Sequence, residues 1–549
     1  MTHLQHLPLL AWSVLAVLLL PQISNAQQNP PVIEWQKTLG GSGRDRAYSI
    51  AQTSDGGYIV AGVSWSKDGD VTENHGSSES HDYWIVKLTN TGELDWQRSL
   101  GGSEADIATS IAQTNDGGYI VAGWSASTDG DVTGHHGSSY NYDYWIVKLT
   151  GRGAIQWETS LGGSSDDLAN LIVRTTDGGY IVAGGSSSDD GDVTGHHGVS
   201  DYWLVKLTIT GAIQWQKSLG GSNEDWANSI QQTSDGGYIV AGWSISTNGD
   251  VTSHHGSLGN ADYWIVKLTN TGVIEWQKTL GGSRHDVAYS ITQAIDRGYI
   301  VAGYSYSNNG DVTGHHGSSD STDYWIVKLT ETGVIEWEKS LGGSNDDVAE
   351  SIVQTRDGGY IVAGGSGSTD GGITSHHGLS DSTDYWIVKL SSVGAIQWQK
   401  SFGGSREDCA YSIAQTRDSG HIIAGFSNST DGDVTGSHGD YDSWIVKLAP
   451  PTSDVQQEPT ATLAALTILP NPAHTTAMLK IQTPAEAEYT IELILPLGEV
   501  VKRQSAQLGL GEQTVPLTNL ESLPAGSYEV IVAGGGKQVA HSRLVLLGE

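Results

Sequence analysis

Seven copies of one motif spaced 58 or 61 residues apart, glycine at 72 residues against two of phenylalanine, and turn dipeptides between short β-branched runs predict an all-β chain. The expected architecture is a seven-bladed β-propeller of four-stranded blades followed by a small C-terminal β-sandwich. A unit of this length cannot bury its own apolar faces, so each copy needs its neighbours. The expected divisions are a signal peptide at 1–26, the propeller at 27–449, a linker at 450–466 and a C-terminal domain at 467–549.

The N-terminus carries an apolar run from Leu7 to Leu20, then Pro21 and Ser24-Asn25-Ala26. That is a secretory pattern, with cleavage expected between Ala26 and Gln27. No later apolar run is long enough to span a bilayer as a helix, so none is expected in the mature chain. A net charge of −34 excludes nucleic acid as a partner, because its phosphates demand clustered Lys and Arg. Solubility is the simplest use of that charge.

Within a unit four strands are expected. In the second they are a, Asp106–Thr114; b, Tyr119–Ser125; c, Tyr144–Leu149; and d, Ile155–Leu161. Asp116-Gly117-Gly118 supplies the positive φ of a hairpin between a and b. The chain opens on a lone d strand and ends its repeats on a c strand. Residues 33–39 are therefore expected to pair with 443–448, which removes two exposed edges. If a is innermost, the GGSxxD loops and the long loops such as Lys67 to His81 share one face, and the tight turns share the other.

A residue found in all seven units builds the blade more readily than it performs a reaction. This covers Trp35, Trp96 and their counterparts in strand d, Trp84 and its counterparts in strand c, and the Asp after GGSxx (Asp45, Asp106, Asp167, Asp225, Asp286, Asp347, Asp408), which is expected to accept backbone N–H bonds. The single cysteine, Cys409, occupies a mostly apolar slot and reads as a small hydrophobe.

The long loops carry DGDVT-like segments. Their paired acids Asp68 and Asp70, Asp129 and Asp131, Asp190 and Asp192, and Asp431 and Asp433 are candidate oxygen ligands for calcium. A metal-free Asx-turn explains the same residues, and Asn248 and Asn309 weaken two copies. His pairs close five loops. Adjacent side chains point apart in an extended segment, so a histidine bonding each loop to its blade is expected over zinc. The copies differ after the AG of strand b, where Trp124, Trp243, Tyr304 and Phe426 are candidates to stack on a ligand.

The c-to-d stretch DYWIVKLTNTGELDWQRSLGG resembles the strand pair of quinoprotein-type propellers, whose outer Trp docks between blades. One cysteine excludes the adjacent pair of a quinone-binding enzyme in that group. The TSDGGY turn is similar to the Asp-box hairpin of sialidases, which is structural. After the polar Pro450–Leu466 stretch, Pro470-Asn471-Pro472, Leu497-Gly498-Glu499, Gly526 with Tyr528, and Arg543-Leu544-Val545-Leu546 are similar to the type A sorting domain of the Bacteroidetes type IX secretion system. That resemblance implies passage through the periplasm, recognition by the translocon, trimming by a sortase, and release from or attachment to the outer-membrane surface.

The functional expectation is a secreted or cell-surface propeller that binds a glycan or protein without catalysing a reaction. The alternative is an extracellular polysaccharide hydrolase or lyase, which would need a non-repeated acid/base pair in the central funnel.

Overall fold

The computed structural model describes residues 29–76, 80–257, 259–378, 382–450, 466–483, 487–494, 500–509, 511–534 and 537–546. Among them the secondary structure is β throughout, apart from one 3₁₀ turn at Leu520–Ser522. No helix among the described residues is long and apolar enough to cross a membrane. The chain forms two compact units, Met1–Thr452 and Ser453–Glu549.

The first unit is a propeller of seven four-stranded antiparallel sheets. Blade 2 consists of Asp106–Gln113, Tyr119–Ser125, Asp143–Leu149 and Ile155–Leu161 as strands a to d. Strand a ends one residue before the expected Thr114, because Thr114 N–H already closes the turn onto Gly118 C=O at 2.9 Å. Strand c begins one residue earlier than expected, since Asp143 pairs with Ser125. The hairpin needs Gly117 at φ 80°. Asp116 accepts Gly118 N–H at 3.1 Å, and the buried Lys148 ammonium bridges Asp116 and the Leu149 carbonyl, each at 3.0 Å.

Strand c is buried along its whole length in all seven blades and strand b in four, the other three leaving only one aromatic half-buried. Stacked blades leave them no wet face, so they read as near-continuous Tyr-Ile-Val-Ala and Tyr-Trp-Ile-Val runs. Strand b of each blade packs on strand a of the next. Blade 7 contains Asp408–Gln415, His421–Ser427, Asp442–Leu448 and, from the other end of the repeats, Ile33–Leu39. Ile33 pairs with Leu448 and Leu39 with Ser443. Its strand b packs on strand a of blade 1, Asp45–Gln52, which completes the ring.

Side chains bolt the seams. At six of them a strand-c tyrosine donates to the backbone of the next blade's tryptophan, as Tyr83 does to the Trp145 carbonyl at 2.8 Å with ring centroids 4.5 Å apart. Around the axis, Ile111 N–H donates to Ser49 and Ile172 N–H to Ser110. On the tight-turn face, Gln113 accepts Ser54 N–H at 2.7 Å and Gln232 accepts Thr176 N–H at 2.8 Å.

The second unit has a three-stranded sheet (Leu466–Leu469, Ala477–Thr483, Gly511–Leu517) and a four-stranded sheet ordered Val500–Leu508, Ala487–Ile494, Gly526–Gly534, Lys537–Leu546. Leu479, Ile481 and Leu517 from one and Tyr489, Ile491, Val530 and Leu544 from the other form one core. Asn471 accepts Val545 N–H at 2.9 Å. The buried Tyr528 hydroxyl donates to the Pro524 carbonyl at 2.6 Å. Pro470 and Pro472 are exposed beside Asn471, and Gly526 opens its strand. The expected cleavage pair Ala26–Gln27 and residues 451–465 of the expected linker lie outside the described residues.

Candidate ligand site in the central channel

Each innermost strand carries a bulge at the same place. In blade 1 Ala47 pairs with Gly62 and Ser49 with Ala61, which leaves Tyr48 as the extra residue. The same shift isolates Thr109, Asn170, Asn228, Tyr289, Glu350 and Tyr411. A bulge bends its strand and re-aims the unpaired side chain. All seven re-aimed residues line one cavity of about 510 Å³ at the hub of the ring, together with the serines that follow them in most blades.

This ring is not symmetric. Thr109 donates to the Ala169 carbonyl at 2.9 Å, Asn170 to Ala227 at 2.9 Å and Asn228 to Ala288 at 2.8 Å. These three spend polar atoms on the next blade. Tyr289, Glu350, Tyr411 and Tyr48 form the other arc and make no such bond to the next blade among the described residues, although the Tyr48 hydroxyl is held by Arg46 of its own strand. Tyr48 and Tyr411 lie with centroids 5.0 Å apart, and Tyr289 is 5.8 Å from Tyr304. Glu350 is the one carboxyl among the described lining residues, and burial alone pushes it up to about 8. Burial likewise raises Tyr48, Tyr289 and Tyr411, and the half-buried Cys409 thiol beside Gly365 is held neutral.

The strand-b candidates stand behind this ring and do not line it. Trp124 meets Tyr142 edge-on at 4.5 Å, and Trp243 pairs across strands with Trp226. Tyr304 backs Tyr289, while Phe426 backs Tyr411 at 5.7 Å and carries the Arg46 guanidinium 4.7 Å over its ring. Sequence reasoning singled out the variable slot of strand b and not a second variable slot, in strand a. The signal was present: Tyr, Thr, Asn, Asn, Tyr, Glu and Tyr, nearly all polar and different in kind, follow an alanine found in all seven copies.

The loop acids face the backbone. Asp68, Asp129, Asp190 and Asp431 each accept a Ser N–H of the neighbouring GGS turn at 2.7 Å. Asp70, Asp131, Asp192 and Asp433 each accept the first Gly N–H of that turn, at 3.2 to 3.4 Å. Among the described residues no group of three or more His, Cys, Asp or Glu side chains is placed to hold a metal ion. The repeated histidine ties its loop to the blade: His75 N–H and Nδ1 both meet Asp82 Oδ2 at 2.7 Å. Asp45 accepts Gly41 N–H at 2.8 Å, and its six counterparts do the same.

A separate groove of about 550 Å³ on the long-loop face is lined by Asn260, Arg284, His285, Tyr306 and Asp320.

Residues 467–546 match the family described as the secretion system C-terminal sorting domain. The chain is similar to the regulatory protein FlaEY of Caulobacter vibrioides, 24% identical over 403 residues. That alignment takes in 67% of this chain and 41% of the relative, so the chain spans less than half the length of the curated protein it matches. Among solved structures, Sqt1 from Chaetomium thermophilum is similar at 12% identity and TM-score 0.38, over 76% of this chain and 100% of that one. A glycoside hydrolase family 43 arabinoxylan arabinofuranohydrolase from Bacillus subtilis is similar at 10% identity and TM-score 0.27, over 92% and 94%. The C-terminal unit is thus a sorting domain of the type IX secretion system, joined to a β-propeller.

Proposed function

We propose that this protein is a secreted or surface-displayed cargo of the type IX system whose propeller is a non-enzymatic glycan-binding module, with the central channel as its site. The observation that carries the reading is the arc Tyr289–Glu350–Tyr411–Tyr48, in which the first three side chains make no hydrogen bond among the described residues. Aromatic faces stack on sugar rings, while a carboxyl and amides read hydroxyl groups. A hydrolase needs two carboxyls at a set separation, and the described lining residues offer Glu350 alone. Through its C-terminal unit the chain engages the translocon and then the sortase.

Two experiments test this. A glycan array probed with the full chain is expected to give binders, and Tyr289→Ala or Tyr411→Ala should abolish them without lowering the melting midpoint by more than a few degrees. Binding that survives both substitutions would move the site to the loop face. Deleting Thr467–Glu549 should trap the propeller in the periplasm, and efficient surface display of that deletion would overturn the sorting role.

A further inference from the structure

We infer that the arc of Tyr289, Glu350, Tyr411 and Tyr48 is a receptor for a protonated amine, so the glycan that fits the channel carries free amino groups. This rests on the reading of the channel as the ligand site.

Three features converge. Glu350 sits between two tyrosines in ring order, in the blade between those of Tyr289 and Tyr411, with Tyr48 in the blade beyond. Second, Glu350 is half-buried in the channel wall, it has neither a hydrogen bond nor an ion pair among the described residues, and desolvation is the sole influence on its proton. A carboxyl in that setting is stabilised most by a cation, whereas a neutral hydroxyl leaves the burial penalty of the charge largely in place. Third, no Lys or Arg is among the described lining residues, and the cation beside them, Arg46, donates to the Tyr48 hydroxyl at one end of the arc and otherwise lies over aromatics outside the lining, which leaves Tyr289, Glu350 and Tyr411 open to another. Arg46 lies 4.7 Å from the Phe426 centroid and 5.1 Å from that of Tyr441. Tyrosine faces bind an ammonium group by the same quadrupole.

The titratable groups that feel Glu350 are Tyr48, Tyr289, Tyr304, Tyr324, Cys409 and Tyr411, and burial holds all of them protonated through neutral pH. Glu350 is therefore the group that changes charge. With its carboxyl protonated before binding, R–NH₃⁺ enters, the carboxyl gives its proton to the solvent, and an ammonium–carboxylate pair remains.

Calorimetry on the full chain separates the possibilities. The probes are tetramers of glucosamine, N-acetylglucosamine and glucose, at pH 6, in two buffers of different ionisation enthalpy. The glucosamine tetramer is expected to bind at least ~10-fold tighter than the other two, the scale of one buried ammonium contact, and to release a proton to the buffer. Glu350→Gln, nearly the same in shape, should remove both the preference and the proton release while the melting midpoint stays or rises. Equal or weaker binding of the amine form, with the neutral tetramers still bound through Tyr289 and Tyr411, overturns the amine inference and leaves the channel reading standing. Binding of none of the three overturns both.

Discussion

Asp68 and its counterparts act through one oxygen that caps a backbone N–H, and two blades prove the point by using amides. Asn248 accepts Ser222 N–H at 2.8 Å and Asn309 accepts Ser283 N–H at 2.9 Å, the bond made by aspartate elsewhere. Charge is dispensable there; an acceptor is not. Asp68→Asn should therefore melt at the parent's midpoint, while Asp68→Ala should melt lower because the Ser42 N–H loses its intramolecular acceptor. Thermal melting reads both, and the midpoint should be the same with and without a chelator. A chelator-dependent fall, or equal losses for the two substitutions, would return a metal to these loops. A second single-residue test concerns the a–b turn of blade 5, where Arg297 holds φ 70° in a place most blades give to glycine. Relief of left-handed strain by Arg297→Gly, offset partly by glycine's entropy, should leave the chain more stable by ~0.5 kcal/mol.

At the scale of strands and blades, much was written plainly. Repeat spacing, Asp-Gly-Gly turns and the orphan strand at Ile33 led to four strands per blade and to the closing sheet, with strand ends off by at most one residue in blade 2. What could not be read was direction. A bulge after Ala47 decides that Tyr48 enters the channel, and no glycine or other residue marks that bulge in any blade. The strand-b aromatics vary too, but they stand behind the channel lining, with Trp124, Trp243 and Tyr304 half-buried. Variation does matter at one seam. Six blades use a tyrosine to bolt the neighbour, but blade 7 has Ser443, buried at 1% exposure with its hydroxyl unbonded among the described residues. The Trp84 carbonyl thereby lacks the donor that Trp145 has. Ser443→Tyr should add about 1 kcal/mol from the hydrogen bond and about 0.5–1.5 kcal/mol from the ring pair. Tyr263→Phe should lose about 1 kcal/mol by leaving the Trp325 carbonyl unpaired. A destabilised Ser443→Tyr together with a neutral Tyr263→Phe would show that these contacts do not hold the ring.

Over the whole propeller, the seams bury acid against acid. Strand-a and strand-c aspartates from adjacent blades converge on the GGS turn: a Cβ built on Gly162 would lie 2.5 Å from Asp167 Oδ2 and 2.6 Å from Asp143 Oδ1. Burial is the chief cause that raises these carboxyls, to about 6 for Asp82, Asp167, Asp225 and Asp286, about 7 for Asp106, Asp347 and Asp408, and about 8 for Asp262. Their folded values exceed the unfolded value of 3.8. The native state thus binds more protons than the unfolded chain between about pH 4 and 8, and the linked stability is whole below pH 4 and lost as pH rises through 6 to 8. The turn acids oppose this at the acid end. Asp55, Asp116, Asp177, Asp235 and Asp418 are lowered to about 2, against the cost of burial, by Thr hydroxyls, backbone N–H groups and the buried lysines, so their contribution disappears as pH falls from about 4 to 2. The melting midpoint should then peak near pH 4 to 5 and fall by at least ~2 °C by pH 8. General repulsion in a chain of net charge −34 pushes the same way, so a variant must isolate the seams. Asp106→Asn keeps an oxygen for Gly102 N–H and Ser127 Oγ but cannot ionise, and the decline from pH 5 to 8 should be shallower in it. A midpoint that rises across that range, or an Asp106→Asn curve parallel to the parent's, would mean that the buried acids are ionised at no cost to the ring.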